Sequence, residues 1–326
     1  MQEKGFTMTT IIRPPYDPEL QAALELMPPV PDLPPHELLP IMRQHSFTPP
    51  IDTVIAGRPL QYSDHVIAGY DGSEIIVSVI QRSDHVRTDG AAVYFIHGGG
   101  MIIGDRWVGA EALAQWVEDY DIVAATVEYR LAPEFPDPAP VEDCYAGLAW
   151  FESQSGSFGF DPSRILISGT SAGGGLAAGV TLLARDRKGP SLAAQFLGCP
   201  MLDDRDASPS AHQFSGGALW SREANVFGWS SLLGDRANTE NVSIYAAPAR
   251  ATDLSGLPPT FLDVGSAEVF RDETIDYAQK IWAAGGQAEL HVYAGGFHGF
   301  EAVTTAAVSA RCQAMRKAWV ERYLPD

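Results

Sequence analysis

The chain's 326 residues, 45% of them hydrophobic and 19% charged, supply enough apolar material for a full globular core. A formal net charge of −19 argues against nucleic acid and anionic membrane as partners. Cys144, Cys199 and Cys312 lie far apart with no CxxC pair, which disfavours a disulfide framework or a metal site and fits a reducing compartment, the cytoplasm.

The first ten residues lack the apolar stretch of a signal peptide, and no apolar run is long enough to span a bilayer. Residues 1–50 are proline-rich but carry apolar pieces at 20–26 and 37–42, which predicts short helices laid over something else. Strand-length runs rich in β-branched and aromatic residues follow at 75–80 and 92–96. A helix over 106–120, a strand at 122–127, a helix over 141–152 and a strand at 165–167 come next. A helix begins after Ser171, and 194–197 reads as a strand. Residues 205–250 break the rhythm: they hold Trp220, Phe227 and Trp229 but no clear strand. The alternation resumes with a strand at 260–264, a helix at 272–284, a strand at 288–293 and a closing amphipathic helix at 302–323. Alternating strands and helices imply a mostly parallel sheet covered on both faces. The irregular insertion is expected over the carboxyl ends of the strands, where such sheets place their ligands.

Three stretches carry chemistry. Gly169-Thr-Ser-Ala-Gly173 fits GxSxG between a strand and a helix. A tight turn of this kind holds the serine in a strained conformation, so its neighbours must be small. The N–H of Ala172 then opens a helix whose positive end favours an oxyanion. The stretch is neither GxGxxG nor followed by GK[ST], so the dinucleotide and phosphate-loop readings fail. His97-Gly-Gly-Gly100 follows a strand and leaves backbone N–H groups unobstructed, as an oxyanion hole requires. His298, in Gly295-Gly-Phe-His-Gly-Phe300, sits on a glycine-rich loop past the last strand, whereas His291 lies inside that strand. A serine nucleophile also needs an acid to orient the base, in the chain order serine, acid, histidine. The candidates are Asp263, Glu268, Asp272 and Glu273. Asp263 falls within a strand, and Asp272 and Glu273 suit the first turn of a helix. Glu268 lies in the loop between.

Together, HGGG, GTSAGG, Glu128-Tyr-Arg-Leu-Ala-Pro-Glu134 with Asp143, and GFHGF resemble the hormone-sensitive-lipase family of bacterial esterases, from about residue 60 onward. The resemblance implies an α/β-hydrolase fold, a mostly parallel central sheet flanked by helices. A helical cap would come from residues 1–50 and about 205–235, and the catalytic domain from 51–204 and 236–326. It implies a cofactor-free serine carboxylesterase acting on short- to medium-chain acyl esters, in a family where dimers are common. Ser171, Glu268 and His298 would be the triad. Gly99, Gly100 and Ala172 would donate to the oxyanion, with Gly98 shaping the loop. Tyr129, Arg130, Glu134 and Asp143 would support the site through charge pairs. The chain departs from the family pattern at Thr170, where aspartate is commoner, and at Glu268, which occupies the family's aspartate position. Asp272 is the alternative acid. Met27, Met42, Phe47, Trp107, Phe214, Trp220 and Phe227 are candidates for an apolar acyl pocket. A lactone, amide or carbamate hydrolase would use the same triad. The plant gibberellin receptors, which bind without hydrolysis, lack the histidine that this chain retains.

Overall fold

A computed structural model describes residues 12–27, 35–44, 48–216 and 219–324. Among these residues eight strands, numbered in chain order, form one sheet in the order β1-β2-β4-β3-β5-β6-β7-β8. They are β1 (Leu60–Ala68), β2 (Glu74–Arg82), β3 (Gly90–Ile96), β4 (Val123–Glu128), β5 (Phe160–Thr170), β6 (Ala194–Gly198), β7 (Thr260–Gly265) and β8 (Ala288–Tyr293). β1 and β2, and β2 and β4, pair antiparallel; every other pair is parallel. This is the expected α/β-hydrolase architecture.

The helices are α1 (Pro18–Leu26), α2 (Pro35–Gln44), α3 (Ile51–Ile55), α4 (Ala110–Tyr120), α5 (Ala139–Ser153), α6 (Ser155–Phe158), α7 (Ala172–Arg187), α8 (Pro209–Gln213), α9 (Arg222–Leu233), α10 (Arg271–Ala283) and α11 (Ala307–Val320). All seven residues of β3 are buried, because helices cover both faces of the sheet there. α7 is buried from Ala172 through Ala184 and runs from the middle of the sheet. Among the described residues no helix is long and apolar enough to cross a membrane.

Several boundaries differ from expectation. β1 was not anticipated: Ser63, Asp64 and His65 in its centre give an edge strand with half of its residues exposed, without a clean apolar alternation. The helix expected from 106 begins at Ala110, after Gly109 in the left-handed region. The closing helix spans only Ala307–Val320.

The N-terminal helices go to different places. α2 packs against α9, and Arg43 of α2 donates to the carbonyls of Ile102 and Ala132 at 2.8 and 2.7 Å. α1 instead packs on the C-terminal part of the chain. Leu20 is fully buried among Tyr293, Phe297, Phe300 and Val308, and Asp17 N–H donates to the Gly295 carbonyl at 3.1 Å. The Glu19 carboxylate accepts the Ala307 N–H at 2.6 Å and so caps α11.

Candidate active site

Ser171 sits between the end of β5 and the first turn of α7, with φ 59° and ψ −125°. A non-glycine residue there costs on the order of 1–3 kcal/mol and persists only when its surroundings over-determine it. They do. Its N–H donates to the Gly198 carbonyl at 2.8 Å, and its carbonyl accepts the Met201 N–H at 3.0 Å. A side chain at Gly169 would place its Cβ 2.1 Å from the Gly173 carbonyl oxygen, and one at Gly173 would come 2.1 Å from that of Ile96. The small residues of GxSxG are therefore a packing requirement of the turn.

The loop after β8 brings His298 to the serine. Ser171 Oγ and His298 Nε2 are 3.0 Å apart, and His298 Nδ1 and Glu268 Oε2 are 2.6 Å apart. The other carboxylate oxygen of Glu268 accepts the Gly265 N–H at 2.8 Å. Glu268 is 1% exposed. With both of its oxygens accepting, the histidine carries its proton on Nδ1 and presents a bare Nε2 to the hydroxyl. The loops of the two residues are stitched together: Ala267 N–H donates to the Gly296 carbonyl at 2.9 Å, and Gly295 N–H to Ser266 Oγ at 2.9 Å. Burial disfavours the imidazolium, but the charge and hydrogen bond of Glu268, together with the charge of Glu301, overcome it, and the pKa of His298 is raised. Burial also raises Glu268, against the pull of the imidazolium.

The other acid candidates are engaged elsewhere. Asp272 accepts the Ser210 N–H at 2.8 Å and Arg271 Nε at 2.7 Å. Glu273 accepts the Leu202 N–H at 2.6 Å, and Asp263 pairs with Arg316 at 2.6 Å. His291 bonds to Glu289 at 3.0 Å on the edge strand.

Beside the serine, Gly99 and Gly100 both have positive φ. Among the described residues, the N–H groups of Gly99, Gly100 and Ala172 have no acceptor. The loop that carries them is held from below. His97 Nδ1 donates to the Gly98 carbonyl at 2.7 Å, its ring stacks on Tyr129 at 4.2 Å, and the Tyr129 hydroxyl donates to the His97 carbonyl at 3.0 Å. Burial lowers the pKa of His97 and keeps it neutral. Next along the chain, Arg130 clamps the fully buried Asp143 through Nε and Nη2 at 2.8 and 3.0 Å. Asp143 also accepts the Tyr70 N–H at 2.8 Å. Glu134 stands apart from this cluster. Its half-exposed side chain pairs with Arg43 of α2 at 2.8 Å, because its loop faces the N-terminal helices.

Trp220 and Phe270 close the surroundings. The Trp220 ring lies 6.3 Å from His298 and packs directly on Gly100. Phe270 meets the His298 ring edge-on at 5.0 Å. Phe270 was not expected; its only signal was its place two residues after Glu268. Of the other apolar candidates, Phe47 lies outside the described residues. Trp107 packs on Tyr62 in the cluster around α4, Phe214 is fully buried, Met42 and Phe227 are half-buried, and Met27 is exposed. Cys199, Glu268 and His298 form the one group among the described residues whose donor atoms could converge on a metal. Two of them already bond each other, and burial pushes the Cys199 thiol well up, which keeps it protonated.

A family model described as the alpha/beta hydrolase fold matches residues 93–302. Esterase LipI of Mycobacterium tuberculosis is 31% identical over 69% of this chain and 71% of its own length. Carboxylesterase NlhH of the same organism is 32% identical over 74% of this chain and 77% of its own. Among solved structures, a bacterial heroin esterase superposes with a TM-score of 0.85 at 38% identity, covering 95% of this chain and 98% of that one. Esterase LipW of Mycobacterium marinum superposes with 0.79 at 28% identity, covering 94% and 96%.

Proposed function

The chain belongs to the alpha/beta hydrolase family, as a hormone-sensitive-lipase-like member of it, and from that premise we propose a serine carboxylesterase in which Ser171, His298 and Glu268 carry the reaction. The observation that carries this reading is the hydrogen-bonded line from Ser171 Oγ through His298 to Glu268, at 3.0 and 2.6 Å. Oγ attacks the ester carbonyl as Nε2 takes its proton. The tetrahedral oxyanion faces the N–H groups of Gly99, Gly100 and Ala172. His298 then gives the proton to the departing alkoxide, leaving an acyl-serine. Water, deprotonated by the same imidazole, attacks the acyl carbonyl and releases the acid. Throughout, Glu268 holds Nδ1–H in place and stabilises the imidazolium.

For the substrate we propose short- to medium-chain acyl esters. α2 and α9 would form the lid over the serine, with Trp220 beside the reacting carbonyl. Three buried free thiols suit a reducing cytoplasm, and a homodimer would fit the family resemblance. The test is hydrolysis of p-nitrophenyl esters from acetate to palmitate by wild type and Ser171→Ala. Turnover peaking at short chains, and falling by about 10⁴–10⁶ in the variant, is expected. A folded wild type inert on every ester, or an equally active variant, overturns the reading.

A further inference from the structure

Behind the triad lies a second buried charge cluster that the hydrolytic steps do not use. Arg316 of α11 donates through Nε and Nη2 to the two carboxylate oxygens of Asp263, at 2.6 and 3.0 Å. Its Nη1 and Nη2 also reach Glu301 Oε1, at 3.2 and 3.3 Å. The side chains of Asp263, Arg316 and Glu301 are 1%, 11% and 12% exposed. Each sits where it bears on the site. Asp263 is on β7, two residues before the Gly265 N–H that holds Glu268, and its carbonyl accepts the Cys199 N–H at 2.7 Å. Glu301 follows His298 by three residues, in the helical turn Phe300–Ala302. One guanidinium thus joins the strand leading to the acid, the loop carrying the base and the last helix.

We infer that Glu301 and Arg316 are positioning residues for His298, the arginine fixing the histidine loop to the acid-bearing strand and the glutamate placing a second carboxylate on that loop. The inference rests on the esterase reading. A planar guanidinium serves two carboxylates at once, which an ammonium cannot do with the same geometry. Two carboxylates against one guanidinium leave a surplus negative charge on the segment that carries the imidazolium formed in the transition state. Burial works against charge on both sides, yet Glu301 adds to Glu268 in raising His298, and Arg316 holds Glu301 below the usual carboxylate range. The remaining titratable neighbours add little: burial keeps the thiols of Cys199 and Cys312 protonated and raises Glu273.

The experiment follows the His298 Hε1 resonance by NMR titration of the intact chain, assigned with His298→Gln, beside pH profiles of kcat/KM on p-nitrophenyl butyrate. Glu301→Gln should lower the His298 pKa by about half a unit or more and carry the acid limb of the rate with it. Arg316→Lys keeps the charge but loses the fork, so it should leave the titration in place and lower kcat about tenfold at unchanged KM. A Glu301→Gln titration that superimposes on wild type overturns the inference, and so does a wild-type kcat in Arg316→Lys. Should Arg316→Lys fail to fold, the Glu301→Gln titration decides alone. A wild type that hydrolyses no ester sinks the esterase reading, while the resonance comparison still decides this one.

Discussion

Replacing Glu268 with glutamine removes a charge while keeping the shape, and the structure dictates which way the amide turns. In the carboxylate, Oε1 accepts the Gly265 N–H at 2.8 Å and Oε2 faces His298 Nδ1 at 2.6 Å. An amide has one acceptor oxygen. If that oxygen stays on the buried Gly265 N–H, the NH₂ faces Nδ1, and the imidazole must present a lone pair there. Its proton then moves to Nε2, where it donates toward Ser171 instead of accepting the serine proton. The alternative orientation leaves a backbone N–H buried and facing a donor, a loss of about 1–3 kcal/mol on its own. The first orientation therefore holds, and the base is disabled by its tautomer. In a serine protease the same acid-to-amide change lowers kcat by about 10⁴, which is about 5.5 kcal/mol of transition-state stabilisation. A fall of that order is expected here, measured as kcat on p-nitrophenyl butyrate at pH 8, with KM nearly unchanged. Asp272→Asn, whose carboxylate serves Ser210 and Arg271 instead, should stay within a few-fold of wild type. A Glu268→Gln enzyme within tenfold of wild type, or a collapse in Asp272→Asn, refutes the assignment.

Three further outcomes are expected. Because His298 is raised, the acid limb of kcat/KM should lie above the ordinary histidine value of about 6.5; a limb below that value contradicts the geometry. The sign for stability is opposite: the raised pKa contributes stability below the unfolded value and loses it as pH rises through the folded one. Trp220→Ala removes the ring packed on Gly100, so the rate on p-nitrophenyl 2,2-dimethylpropanoate relative to butyrate should rise about tenfold. An unchanged ratio would mean the ring does not limit bulk at the carbonyl. Asp143→Ala leaves Arg130 only the half-exposed Asp71 at 3.4 Å and strips the Tyr70 N–H of its acceptor, so urea unfolding should show a loss of about 3 kcal/mol with little change in kcat per folded molecule. A loss under about 1 kcal/mol would show the pair to be replaceable.

The candidate site was readable in the sequence where chemistry constrains short stretches. Ser171 needs small neighbours on both sides, and His298 and Glu268 needed only to be placed past the ends of strands. Their spacing along the chain carries that information. What the sequence hid depends on contacts between distant segments. Asp263 looked merely too early to be the triad acid. An aspartate in a buried strand nevertheless requires a cation, and Arg316 lies 53 residues later. Glu134 sits beside Arg130 in the motif, but its partner Arg43 comes from a helix 91 residues away. β1 escaped notice because an edge strand need bury only part of its surface, so the polar residues 63–65 erased its period.

The place of α1 has a consequence in time. Glu19 caps α11 across a separation of 288 residues, and Leu20 packs against the histidine loop. At about 5–20 residues per second, α1 waits roughly 15–60 s for the start of α11. Through that interval Leu20 has no native partner, while the strand bearing Ser171 can already join its neighbours. α1 is thus made well before the surface that receives it, and it docks on the loop that carries His298. A nascent chain halted before residue 293 holds the strand that leads to Ser171 and a helix whose Leu20 still lacks its packing partners, a species for chaperones to cover.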